Sequence, residues 1–202
     1  MKAKKIVGIF CALLIGGSAL AADAPARPAS TASAIFAGGC FWCIEADFEK
    51  LPGVIGAESG YTAGRTLNPT YEQVSAGGTG HTEAIRVIYD PAKVSYPQLV
   101  DYFWRHIDPT VKDRQFCDAG TQYRSGIYWQ NETEKKAAEA SRDALLKGGK
   151  LAQIHTEIIA ATTFYPAEEY HQDYYKKNPI RYAYYRKGCG RDARVQEIWG
   201  GK

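Results

Sequence analysis

The spacing of apolar positions changes several times along this chain, and each change marks an element. Ala34-Ile35-Phe36-Ala37 is a short apolar run that reads as a strand, and Gly38-Gly39 then lets the backbone turn. Ile44, Phe48 and Leu51 follow at i, i+4 and i+7, one face of a helix. Leu51-Pro52-Gly53 is a turn, Val54 to Tyr61 has strand character, and Glu83 to Tyr89 is a strand closed by Asp90-Pro91. Ser95 caps a helix carrying Leu99, Tyr102, Phe103 and Ile107, with Pro97 tolerated in its first turn. After an irregular loop over 108–120, Tyr123 to Trp129 reads as a strand. Asn131 with Glu134 three residues on then opens a helix to about Lys147. Ile154 to Ala160 is a strand and Ala167 to Lys177 a helix ended by Asn178-Pro179. The tail from Ile180 is aromatic and basic, and the glycines on either side of Cys189 predict that it is mobile. Strands and helices alternate, but some strands follow one another directly. The fold class is therefore α/β, as an α+β sandwich with a mixed sheet and long coils.

The first residues change the picture of composition. Lys2, Lys4 and Lys5 precede an apolar run from Ile6 to Leu20 that is short and glycine-interrupted, and Ala19-Leu20-Ala21 is a small-x-small cleavage site. Residues 1–21 predict a signal peptide, which places the mature chain outside the cytoplasm, periplasmic or secreted, with no membrane attachment after cleavage. Residues 22–33, rich in Ala, Pro and Ser, predict a disordered linker, and 34–202 a single domain. Cleavage after Ala21 leaves 181 residues, enough for a sizeable core, with 22 basic against 22 acidic side chains. A neutral chain gives no reason to expect nucleic acid or an anionic membrane as partner.

Four cysteines remain in that mature chain, at 40, 43, 117 and 189. An even count in an exported protein permits structural disulfides, which would suit a binding module with no catalytic thiol. Cys40, however, falls at the N-cap of the first helix, where free N–H groups and the helix dipole favour a negative atom. That position predicts a thiol that ionises more readily than the usual pKa of about 8.5. Cys43, three residues on, shares its face. No second C-x-x-C or H-x₃₋₅-H is present to complete a zinc site. Glu83 alternates with Ile85, Val87 and Tyr89 and so lies on an apolar strand face; it either reaches solvent at the strand end or is desolvated and stays protonated. Tyr123 shares a face with Ile127 and Trp129, Tyr71 lies in the loop Asn68-Pro69-Thr70-Tyr71, and Asp118 follows Phe116-Cys117 in a turn. Cys117 precedes Asp118 and its role is open between a place near that residue's pocket and a buried free cysteine; the four histidines read as structural.

Gly39-Cys40-Phe41-Trp42 with Glu45 resembles the signature of the A-type peptide methionine sulfoxide reductases. The resemblance continues through Asn68-Pro69-Thr70-Tyr71, Gly80-His81-Thr82-Glu83-Ala84, Tyr89-Asp90-Pro91, Gly120-Thr121-Gln122-Tyr123-Arg124-Ser125, Phe164-Tyr165-Pro166-Ala167-Glu168 and His171-Gln172. It implies a ferredoxin-like core and reduction of the S epimer of methionine sulfoxide, free or in peptides and proteins; the chain is expected to be a monomer. By the same resemblance Cys40 is the nucleophile and Glu83 the proton donor, with Tyr71 and Tyr123 as further donors. Asp118 places the substrate, and Phe41 with Trp42 forms the pocket for its methyl group. No metal or organic cofactor is implied; electrons come from a thioredoxin-like protein after a second thiol condenses with the Cys40 sulfenic acid. Family members commonly carry glycine at the position of Cys43 and recycle through C-terminal cysteines, so Cys43 and Cys189 are both candidates for the resolving thiol. A thioredoxin-like oxidoreductase built on Cys40 and Cys43 is the alternative reading.

Overall fold

The structure, a computed structural model, describes residues 30–200. The predicted signal peptide and most of the predicted linker lie outside the described residues. The first elements are β1 (Ala32–Gly38), α1 (Phe41–Phe48), β2 (Val54–Thr62), α2 (Tyr71–Ala76), β3 (Thr82–Tyr89) and α3 (Tyr96–Trp104). A two-stranded ribbon of β4 (Arg114–Gln115) and β5 (Asp118–Ala119) comes next, then a 3₁₀ turn at Thr121–Tyr123 and β6 (Ser125–Trp129). The chain continues through α4 (Glu132–Lys147), β7 (Glu157–Ala160), β8 (Tyr165–Pro166), α5 (Tyr174–Lys177), α6 (Pro179–Gly188) and α7 (Arg191–Trp199).

The main sheet runs β7-β6-β1-β3-β2-β8. Each of its four central strands is antiparallel to its neighbours among them, and α1 and α3 connect them as β-α-β-β-α-β, the ferredoxin-like arrangement. β7 adds to β6 in parallel, which makes the sheet mixed. The core lies between this sheet and the helices on it: Phe36 stacks on Phe48 and on Phe103, each at 5.1 Å between ring centroids, with Ile44, Leu99 and Trp104 fully buried around them. The periodic residues of α1 and α3 thus bury the faces that their spacing predicts. The helix caps are also where the sequence puts them. Ser95 N–H donates to Gln98 Oε1 at 2.8 Å, and Glu134 N–H donates to Asn131 Oδ1 at 3.0 Å.

Several expectations need correction. β1 starts at Ala32, because Ala32 and Ser33 pair with Tyr89 and Ile88. Tyr123 is not on a strand: Gly120 at φ +136° leads into the 3₁₀ turn, and β6 begins only at Ser125. Tyr71 opens α2, behind a Thr70–Gln73 capping box. Only Tyr174–Lys177 of the predicted 167–177 helix forms. The residues before it spend their polar groups on distant partners. The Gln172 amide bridges Ser59 N–H and C=O, each at 2.9 Å, and Asp173 N–H donates to Glu45. The tail is not free either. Buried Asp47 pairs with Arg186 at 2.9 Å, and buried Arg191 donates to Gly38 O and His106 O, which docks α6 and α7 behind the β1–α1 turn.

Candidate active site

The turn between β1 and α1 is held open by one glycine. Gly39 has φ +81°, and a Cβ there would meet Gln115 Cβ at 2.5 Å. Cys40 follows as the N-cap, as its sequence position predicts. Glu83 lies on β3 two residues beyond the last β1–β3 pair, Phe36 with Ile85, where β1 runs out into the turn. Its Oε2 accepts the Phe41 N–H at 3.0 Å. Burial pushes the Glu83 carboxyl up to about 8, so it is protonated at neutral pH, and its solvent-exposed alternative is ruled out.

Cys40, Phe41, Trp42 and Glu83 line a cavity of about 190 Å³ together with Tyr71, Tyr123, Asp118 and Tyr185. Burial pushes Tyr71 up to about 12 and Tyr123 above its ordinary value, so both hydroxyls stay protonated donors. Trp42 is fixed on two sides. Its indole stacks on Tyr174 at 3.7 Å, and its N–H donates to His171 Nδ1 at 3.0 Å. Burial keeps His171 neutral, which preserves Nδ1 as the acceptor. Glu168 ties the Tyr71 backbone N–H to the Tyr61 hydroxyl, each at 2.8 Å.

A catalytic-type thiol facing a protonated carboxyl and two phenols suits proton-assisted attack on a small polar group. The sequence profile of the family Peptide methionine sulfoxide reductase matches residues 32–202. The chain belongs to this family. Peptide methionine sulfoxide reductase MsrA 2 of Caulobacter vibrioides is 47% identical over 199 residues, 98% of this chain and 100% of that one. MsrA of Bacillus licheniformis is 48% identical over 170 residues, covering 84% and 94%. Among solved structures, methionine sulfoxide reductase A of Corynebacterium diphtheriae superposes with a TM-score of 0.68 at 37% identity, over 77% of this chain and 78% of that one. Mxr1 of Saccharomyces cerevisiae in complex with Trx2 matches at 0.50 and 26% identity, over 73% and 87%. The reductase family is thus shown, and a thioredoxin-like oxidoreductase is not favoured.

One expectation about the reductase's cysteines is overturned, and the open place of Cys117 is filled. Cys40 does not ionise easily in the resting site. Burial pushes its thiol well up, its Cys43 and Glu83 neighbours push the same way, and the first helix N–H is already engaged by Glu83. Of the coupled pair, Cys43 holds the lower pKa, because it accepts a hydrogen bond from Cys40 and lies near Arg191 and Arg186. Cys117 is neither buried nor free: it is exposed and forms a disulfide with Cys189, while Cys40 and Cys43 remain thiols. Cys189, a candidate resolving thiol, is therefore engaged at the joint between two docked helices. Tyr185 was not expected at the site. Its i, i+4 spacing to Cys189, the C-cap of α6, was the available signal, since that spacing puts the two on one side of a helical turn.

Proposed function

We propose that this reductase returns the S epimer of methionine sulfoxide to methionine, with Cys40 as nucleophile and Glu83 as proton donor. The Cys40 sulfur attacks the sulfoxide sulfur while Glu83 gives its proton to the sulfoxide oxygen, assisted by the Tyr71 and Tyr123 hydroxyls. The protonated oxygen then passes from the methionine sulfur to the Cys40 sulfur as the new S–S bond and the old S–O bond break, which releases methionine and leaves a Cys40 sulfenic acid. Phe41 and Trp42 hold the methyl group, and Asp118 orients the polar part of the substrate. Cys43, one turn along α1 and still a thiol, then condenses with the sulfenic acid, releasing water and forming a disulfide. A thioredoxin-like dithiol supplies the two electrons that reopen it; the complex of the yeast relative with Trx2 supports this choice.

The observation that carries the reading is the buried Glu83 carboxyl, raised by that burial, lining one cavity with the Cys40 thiol. Single-turnover reduction of each separated epimer by pre-reduced enzyme tests it. One methionine per enzyme is expected from the S epimer, none from Cys40→Ser, and equal turnover of the R epimer would overturn it.

A further inference from the structure

We propose that His171 is a positioning residue for this reaction: it sets the Trp42 ring against the sulfoxide methyl group and so sets the preference for methyl over larger substituents. The inference rests on the function proposed above, in which Phe41 and Trp42 hold that methyl. His171 does not itself line the cavity, so it acts only through its neighbours.

One imidazole packs behind the Phe41, Trp42 and Tyr71 walls, with ring centroids at 4.9, 5.7 and 4.4 Å. Trp42 depends on it most. Tyr174 stacks on the indole at 3.7 Å with 6° between the planes. Stacking fixes the plane of a ring but leaves it free to slide and turn within that plane. The hydrogen bond from Trp42 Nε1–H to His171 Nδ1 at 3.0 Å removes this freedom, because it has a preferred length and direction. An indole nitrogen can only donate, so Nδ1 is the unprotonated nitrogen and the ring proton is on Nε2. Nε2 is buried, makes no hydrogen bond among the described residues and lies 4.0 Å from Glu168 Oε2, whose charge favours a proton on that side.

The imidazole also has a firm support. Its backbone N–H donates to Glu168 O at 2.8 Å, which closes the turn from Glu168 to His171. On one side of this turn the Glu168 carboxylate holds the Tyr71 N–H and the Tyr61 hydroxyl. On the other, the Gln172 amide is tied to Ser59 and the Asp173 N–H to Glu45. The turn is thus anchored to β2, α2 and α1 at once, and His171 cannot move without breaking one of these bonds. Leucine or phenylalanine would fill the same buried space. What they lack is an acceptor facing the indole, and that separates a positioning side chain from one that only packs. A Trp42 ring released to swing in its plane widens the methyl pocket. A tight apolar pocket discriminates against one extra methylene by roughly 10–200-fold, and a wall that yields gives part of that away.

The test is a competition. Pre-reduced enzyme is mixed with an excess of the S epimers of N-acetylmethionine sulfoxide and its S-ethyl analogue, and both products are counted after a single turnover. Their ratio does not depend on how much of a variant is folded. Wild type should favour the methyl substrate by about tenfold or more. His171→Leu should lose about threefold or more of that preference. His171→Asn, whose Oδ1 takes the place of Nδ1, should stay within about twofold of wild type. His171→Gln, whose amide reaches the Nε2 position instead, should fall with His171→Leu, and it carries the test if the leucine variant does not fold. In a Trp42→Phe background, which has no indole N–H, His171→Leu should change the ratio no further. The positioning role alone is overturned by a wild type with no methyl preference, by a ratio that survives in His171→Leu and His171→Gln, by an equal loss in His171→Asn, or by a further loss in the Trp42→Phe background. A wild type that reduces neither sulfoxide overturns the proposed function, and this inference with it.

Discussion

Two glutamates lie buried at α1, and they differ in what is left for each carboxyl to do. Glu45, within the helix, has both oxygens occupied: Oε2 accepts the Ser59 hydroxyl and Oε1 the Asp173 N–H, each at 3.0 Å. Glu83, across the helix start, takes one hydrogen bond from Phe41 N–H and lines the cavity. Burial raises both, Glu45 to about 7 and Glu83 to about 8. The shift is similar, yet only Glu83 has a proton that a ligand can reach. A perturbed pKa identifies a candidate acid, and it becomes a catalytic one only when an unsatisfied side faces the substrate. Glu45 instead staples β2 and the segment before α5 to α1.

That contrast breaks most sharply in the chemical step. Glu83→Ala should slow single-turnover reduction by roughly 10²–10⁴-fold at saturating substrate, and Glu83→Gln less, since an amide still donates a hydrogen bond. A Glu83→Ala enzyme at the wild-type rate would remove Glu83 from the reaction. Glu45→Gln, closed off from the cavity, should leave the step within about threefold of wild type once the folded fraction is equalised.

Stability should reverse the order. Glu45→Ala strands the Ser59 hydroxyl and the Asp173 N–H and leaves a void, at a cost of about 2–4 kcal/mol. Urea unfolding at pH 6 measures it, and a midpoint equal to that of wild type would show that the staple does not hold. Glu83→Gln at the same pH replaces one neutral group with another of similar shape and should stay within about 1 kcal/mol.

The same contrast explains what was legible in the sequence. Strict alternation along Thr82–Tyr89 put Glu83 on an apolar face, and helical spacing put Cys40 at the start of α1; both are local patterns and both hold. Whether Glu83 was buried or exposed depended on the course of β1, which the pattern of β3 alone does not contain. The Cys40 thiol was misread for a related reason. The helix N–H expected to favour its anion is engaged by a residue 42 positions away. The last third of the domain was least legible. Gln172 is satisfied by Ser59, 113 residues earlier, and Cys117 by Cys189, 72 residues later, so local propensity decides neither. Tyr185 belongs to the same class, since its place at the site depends on Asp47 receiving Arg186 and on the disulfide beyond it.

The smallest effect is the most specific, because it separates the two carboxyls on one axis. An unfolded glutamate titrates near its ordinary 4.5, whereas Glu45 holds its proton in the fold to about 7 and Glu83 to about 8. Between those limits the folded state binds protons that the unfolded state has lost, so raising the pH weakens the fold. Each contribution is fully present below 4.5 and is lost as pH rises through the folded value. From 4.5 to about 7 both carboxyls add to the slope, and from about 7 to 8 Glu83 acts with little help from Glu45. One proton sets a ceiling of about 1.4 kcal/mol per pH unit on each. Unfolding free energies at half-unit steps should therefore decline more gently in Glu83→Gln than in wild type between pH 7 and 8. Glu45→Gln should flatten the curve only below about pH 7. If Glu83→Gln kept the full wild-type slope above pH 7, its carboxyl would already be ionised in the fold. The proton assigned to the sulfoxide oxygen would then have to come from Tyr71 or Tyr123.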